Sequence, residues 1–230
     1  MTHLPKQLGG LLFAAGLFAA VAAVPAADPP REEGKTIDVV LCLDTSNSMD
    51  GLIASAKTKL WAIVNDLIKV KPTPNLRVGL YSYGNDTYDR NVGWVRKEVD
   101  LTTDLDKISE KLFGLTTKGG TEYVSRVCRD ALNEQKWSDD KGALKLIFVC
   151  GNEPASQDPE VTLKAVADKA AAKGVIINPI FCGPENHRDA VDWKQFASLA
   201  GGRFASINQD GTVAIQTPMD KELADLSAKL

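Results

Sequence analysis

The sequence is short of histidine and cysteine: two and four, respectively, in 230 residues. No two cysteines form a C-x-x-C pair, so a zinc knuckle and thioredoxin-type chemistry both lack their ligands. There is no GxxxxGK[ST] loop and no GxGxxG behind a strand, which removes the phosphate cradle of nucleotide and dinucleotide enzymes. No GxSxG elbow occurs. Charge of one sign is also scarce. Lys+Arg is 27, Asp+Glu is 30 and the net charge is −3, which gives no electrostatic reason to expect nucleic acid as a partner. Repeats of solenoid length and heptads are absent. What remains is 44% apolar and 25% charged, the composition of a soluble globular protein and of a length that suits one domain.

The first residues stand apart. Lys6 precedes an uncharged Leu/Ala/Phe-rich run from Leu8 to Val24. Val24-Pro25-Ala26 then sets small residues at the −3 and −1 positions of a cleavage site, before an Asp28-Pro29-Pro30 break. That order predicts a secretory signal over residues 1–26, a charged linker over 27–35 and one domain over 36–230. The alternative is an uncleaved membrane anchor, the run being near the lower limit for a span. Either way the domain is expected outside the cytoplasm: periplasmic, extracellular or on the cell surface. An oxidising compartment permits a disulfide, and Cys150 with Cys182 is the pair to test, since both end apolar runs on neighbouring strands.

Beyond the linker, apolar runs alternate with amphipathic patterns. Ile37–Leu43, Leu76–Tyr83, Val92–Leu101, Leu144–Cys150, Val175–Phe181 and Arg203–Ile207 read as strands. Helical spacing marks Leu52 to Leu67, Leu105 to Leu115, Val124 to Leu132, Asp158 to Lys173, Trp193 to Ala200 and Pro218 to Leu230. The alternation predicts an α/β fold: a doubly wound, mostly parallel central sheet with helices on both faces. Ligands of such sheets bind at the carboxyl ends of strands, so the loops leaving Leu43, Gly120 and Cys150 matter most.

The first of these loops reads Asp44-Thr45-Ser46-Asn47-Ser48. One carboxylate followed by two hydroxyls at alternate positions is a hard-oxygen set suited to Mg²⁺ or Ca²⁺, with several waters retained. The plain alternative is that Asp44 or Ser46 caps the next helix. The second loop, Lys118-Gly119-Gly120-Thr121-Glu122, sets a threonine hydroxyl behind two glycines. N-capping is its plain alternative as well.

Asp44-x-Ser46-x-Ser48 after an aliphatic strand, with Gly119-Gly120-Thr121 further on, resembles a von Willebrand factor type A (VWA) domain over residues 36 to 230. The resemblance implies a Rossmann-like sheet and a metal-ion-dependent adhesion site. Asp44, Ser46, Ser48 and Thr121 would hold Mg²⁺ (or Mn²⁺ or Ca²⁺), and the exposed Asp or Glu of a protein partner would complete its shell. One element departs from the family pattern. Where an Asp-Gly is usual, this chain has Gly151-Asn152-Glu153. Either Glu122 or Glu153, with Asn152 beside it, makes good the lost acid at the edge of the site, or the site holds metal weakly.

The expected function is therefore a protein-binding module for adhesion or assembly and not an enzyme. Nucleic acid is not a partner, and a membrane is met only through an uncleaved N-terminus. A metal-free scaffold with a degenerate site is the second reading. A metal-dependent hydrolase is the third. Haloacid-dehalogenase-type enzymes also set an Asp at the end of the first strand, but need a second Asp where this chain has Ser46. His187 is expected on a surface turn, Asn85 to Asp89 as a solvated acidic turn, Trp94 and Trp193 in the core, and Lys164, Lys169 and Lys173 on a solvated face.

Overall fold

A computed structural model describes residues 34–207; the signal segment, most of the linker and the expected helix over 218–230 lie outside them. Strand β1 (Thr36–Asp44) is buried along eight of its nine positions. It pairs in parallel with β2 (Asn75–Tyr83) on one side and β4 (Leu144–Gly151) on the other. β3 (Val95–Thr102) adds to β2 as the one antiparallel strand among the described residues. β5 (Val175–Cys182) and β6 (Ala205–Ile207) extend the far side in parallel, giving the order β3-β2-β1-β4-β5-β6. The order reverses between β1 and β4, the position at which sheets of this kind bind their ligands.

A buried parallel strand must satisfy two faces, and β1 does so by alternation. Ile37, Val39, Leu41 and Leu43 pack with α1 (Ile53–Ile68) and α2 (Leu105–Gly114). Val40 and Cys42 pack on the opposite face with α3 (Val124–Glu134), α4 (Leu163–Lys173) and α5 (Ala190–Leu199). The doubly wound sheet expected from the sequence is present. At the lower end, Asp38 is buried but forked by Arg77 Nε (2.8 Å) and Nη2 (2.7 Å), so its charge is matched.

Three expectations are corrected. α4 starts at Leu163, capped by Thr162, because Asp158 is held by Arg126 and by the N–H groups of Glu160 and Val161. β3 starts at Val95, and Trp94 lies before it with a left-handed φ of 53°. Trp94 is half-buried rather than core, whereas Trp193 is fully buried. The cysteines of β4 and β5 do face each other, with Cys150 Sγ and Cys182 Sγ 3.1 Å apart as thiols. The Cys182 contact and burial push the Cys150 thiol well up, which favours its protonated form.

Candidate metal centre

Parallel pairing brings the ends of β1, β2 and β4 to one edge. Asp44 is the last residue of β1 and opposes Tyr83, the last of β2. Thr45 fixes the exit of the chain with two bonds to Tyr83 O, from its N–H (2.8 Å) and its hydroxyl (2.9 Å). Met49 is fully buried and pins the other end of the loop. Between these anchors Asp44 Oδ1 accepts the Ser46 N–H at 2.8 Å. Asp44 Oδ2 is buried with no hydrogen-bond partner among the described residues. Ser46 Oγ and Ser48 Oγ stand 2.9 Å apart, and Ser48 Oγ donates to Asn152 Oδ1 at 2.9 Å. The Ser48 proton is spent on Asn152, and the single Ser46 proton has Ser48, Asp44 and Glu122 within reach, so both oxygens keep lone pairs. Ser46 stands at the N-cap position of a short 3-10 turn (Asn47–Met49) but its side chain makes no cap bond there, and α1 begins behind Leu52, also with no side-chain cap.

The glycine-threonine loop is bolted to this loop through backbone groups. Asn47 Oδ1 accepts the Gly119 N–H at 2.7 Å, and Gly119 O accepts the Asn47 N–H at 3.1 Å. Thr45 O accepts from Lys118 N at 2.9 Å. Gly120 has a φ of 126°, and a Cβ there would lie 1.6 Å from Gly84 O, so only glycine fits this crossing. Gly84 is pressed in turn against the acids: its missing Cβ would stand 2.9 Å from Asp44 Oδ1 and 3.1 Å from Glu122 Cγ. Glu122 is thereby brought alongside Asp44 and Ser46. Thr121 is half-buried directly before it and caps nothing, since α3 starts behind Tyr123.

The electrostatics follow from burial. Desolvation, with Glu122 and Glu153 adding repulsion, pushes the Asp44 carboxyl up to about 7 despite the opposing bonds from Ser46. Glu122 is also raised, first by its own burial and then by Glu153, with Ser46 and Gln157 opposing. Among the described residues no three His, Cys, Asp or Glu side chains form a metal cluster by themselves, so any cation here depends on hydroxyls. The donor set fits a hard divalent ion. An orphaned carboxylate oxygen beside two hydroxyls with free lone pairs is an arrangement that a cation satisfies and that is otherwise costly.

The third loop answers the missing family acid only in part. Asn152 is the residue that reaches the site, accepting from Ser48 Oγ and donating from Nδ2 to Ser48 O at 2.9 Å. It orients Ser48 without supplying charge. The Glu153 carbonyl accepts from Trp193 Nε1 at 2.8 Å. His187 is exposed and stacked on Phe181.

Asn85 is a correction. The turn it opens is not merely solvated: Asn85 is buried, its Oδ1 accepts from Thr87 N (3.1 Å) and Oγ1 (2.6 Å), and its Nδ2 donates to Thr116 O at 3.2 Å. It thus ties the end of β2 to the approach of the glycine-threonine loop. The Asn-x-Thr spacing of a self-bonding turn was its only signal in the sequence.

Residues 38–221 match the von Willebrand factor type A domain family. No curated protein matches the chain. Among solved structures, the VWA domain of SpRpn10 superposes with a TM-score of 0.58 at 19% identity, over 85% of this chain and 95% of that one. The VWA-type domain of the type V pilus tip protein Mfa5 from Porphyromonas gingivalis gives 0.60 at 14% identity, over 85% and 96%. Proximal thread matrix protein 1 from the mussel byssus, with a zinc-occupied adhesion-site motif, gives 0.60 at 14% identity, over 84% of this chain and 45% of that one. These likenesses show the fold, and the family match over most of the chain makes it a member of the von Willebrand factor type A domains, a family of protein-interaction modules.

Proposed function

We propose that this VWA domain is exported and docks a protein partner through a divalent cation at the carboxyl edge of its sheet. Asp44, Ser46, Ser48 and Thr121 would hold Mg²⁺, with Mn²⁺ or Ca²⁺ as substitutes. Glu122 and Glu153 are the acids near enough to bias its charge. When bound, the ion would supply a positive centre that Asp44, the one carboxylate among the four ligands, neutralises in part, and so would attract an Asp or Glu of the partner. The observation that carries this reading is the buried Asp44 Oδ2 without a hydrogen-bond donor, next to paired serine hydroxyls. The zinc-occupied motif of the mussel protein and the pilus-tip setting of Mfa5 support an adhesive role. The run from Leu8 to Val24 and the small residues ending at Ala26 support export.

A metal-free scaffold is the second reading, favoured by Gly151 in place of an acid. Melting curves with Mg²⁺, with Mn²⁺ and with EDTA separate the two. A ligand of the folded state stabilises by mass action, about 1.4 kcal/mol at ten times its Kd. For a domain of this size that raises Tm by roughly 3–6 °C. A shift that Ser46→Ala abolishes supports the cation site. Superimposable curves at millimolar metal support the scaffold.

A further inference from the structure

Next to the cation edge lies a small aromatic surface that the fold holds at a cost. Trp94 is a bulky residue with φ 53°, a conformation that persists only where the surroundings enforce it and that gathers at functional sites. The surroundings do enforce it. Trp94 N–H donates to Asp89 O at 3.1 Å, and Trp94 O accepts from Gly84 N at 3.0 Å. Gly84 is the residue pressed against Asp44, Ser46 and Glu122, so Trp94 is one hydrogen bond from the proposed metal centre. Full burial of the indole does not repay the strain, because the ring is only half-buried.

The ring is nevertheless fixed. Its centroid lies 5.8 Å from that of Tyr123 in an edge-on contact, and Tyr123 follows Glu122 directly. Arg126 Cζ sits 4.9 Å from the Tyr123 centroid and is itself forked onto Asp158 at 2.8 and 2.7 Å. On the outer side, the exposed guanidinium of Arg90 stands 6.0 Å from the Trp94 ring and makes no ion pair among the described residues. Val92, 47% exposed, completes the patch. Tryptophan, tyrosine and arginine are enriched among the side chains that dominate binding energy at protein interfaces.

We infer that Trp94, Val92 and Arg90 form the specificity rim of the cation site, and that their occupant is an extended acidic segment of a partner protein. One carboxylate of that segment goes to the metal edge. An apolar or aromatic side chain near it in the sequence covers Trp94 and Val92, and a second acid pairs with Arg90. Two features commit the surface to this occupant: it is continuous with an edge that would take a carboxylate, and the charge standing over the Trp94 ring is the Arg90 cation, while the neighbouring Asp89 carboxylate accepts the Asn91 N–H. The inference rests on the proposed cation-bridged function.

The test is a display library of random dodecapeptides sorted on the full chain in millimolar Mg²⁺, repeated on Ser46→Ala, Trp94→Asn and Arg90→Gln. Asparagine tolerates the left-handed conformation, and melting curves verify that each variant is folded. The wild-type pool should be released by EDTA and should share one obligatory acid, a nearby apolar or aromatic residue and a second acid. Trp94→Asn should keep the obligatory acid and EDTA release but lose the apolar preference, with enriched peptides binding about tenfold more weakly. Arg90→Gln should lose the preference for the second acid. An obligatory acid with no flanking preference, or a preference that Trp94→Asn leaves intact, overturns the rim and leaves the cation reading standing. A pool indifferent to EDTA and to Ser46→Ala overturns the cation reading itself. No enrichment at all, or a dimer of this chain that Trp94→Asn dissolves, overturns the proposed occupant.

Discussion

Tyr83 Oη stands where a side chain on Gly151 would begin. A Cβ at Gly151 would lie 2.5 Å from that hydroxyl, 3.0 Å from Asp44 Oδ2 and 3.1 Å from Trp193 Cη2. Tyr83 is fully buried, its phenol is pushed up by burial, and it donates to Cys150 O at 3.1 Å. The departure from the family pattern is thus coupled to a tyrosine on the neighbouring side of the sheet edge, not a simple deletion of one acid. Gly151→Asp should lower stability by about 1–3 kcal/mol through overpacking. Adding Tyr83→Phe should recover part of that loss and tighten Mg²⁺ binding beyond wild type. Melting curves and Mg²⁺ titration of the single and double variants check both statements.

Asp44 makes stability fall with pH when metal is absent. Its folded value of about 7 lies above the ordinary 3.8, so the folded state holds a proton that the unfolded chain releases. Stability is full below about pH 4, declines as pH rises to 7 and is level beyond, the total loss being at most about 4 kcal/mol. Glu122, also raised, acts in the same direction. Asp44→Asn should flatten this decline and make the metal-free protein more stable at pH 8. The same variant should lose any gain from Mg²⁺, whose apparent affinity in wild type should climb between pH 4 and 7. Urea unfolding across pH, in EDTA and in Mg²⁺, reads all of these.

Asn85→Ala should cost about 1–3 kcal/mol, since it strips the acceptor from Thr87 and the donor from Thr116 O in a buried setting. A purely structural defect would leave metal affinity unchanged. Loosening of the glycine-threonine loop predicts a weaker Mg²⁺ response in addition, measured on the fraction that remains folded.

Arg126→Met should be severe. Asp158 is buried, and burial alone would raise its carboxyl. The Arg126 fork and the Glu160 and Val161 N–H groups outweigh burial and hold it below the usual range. Removing the cation strands a buried carboxylate, worth about 3–5 kcal/mol. The stabilisation this acid gives is present above its unfolded pKa and is lost as pH falls through the folded one. Acid titration of the wild type should therefore show a limb that Arg126→Met lacks, followed by circular dichroism.

Much of the fold was legible because it rests on local pattern. The aliphatic run of β1 dictates a doubly covered strand, and Asp44, Ser46 and Ser48 follow it at a spacing that no helix cap requires. The remainder depends on contacts between distant residues. Trp94 sits among apolar neighbours and reads as strand, yet its bonds to Asp89 and Gly84 turn it left-handed. Asp158 looks like a helix start until Arg126, 32 residues earlier, claims it. The fit of Tyr83 against Gly151 arises from the pairing of β2 and β4 with β1, a register that no single segment encodes.

The central claim is that a divalent ion sits between Asp44 and the two serines, and an anomalous-scattering map from crystals soaked in Mn²⁺ tests it most directly. The account predicts one peak bonded to Asp44 Oδ2, Ser46 Oγ and Ser48 Oγ, with Thr121 turned toward it and Glu122 or Glu153 reached through water. A map without that peak, with Ser46 and Ser48 still bonded to each other and to Asn152 in saturating Mn²⁺, would contradict it.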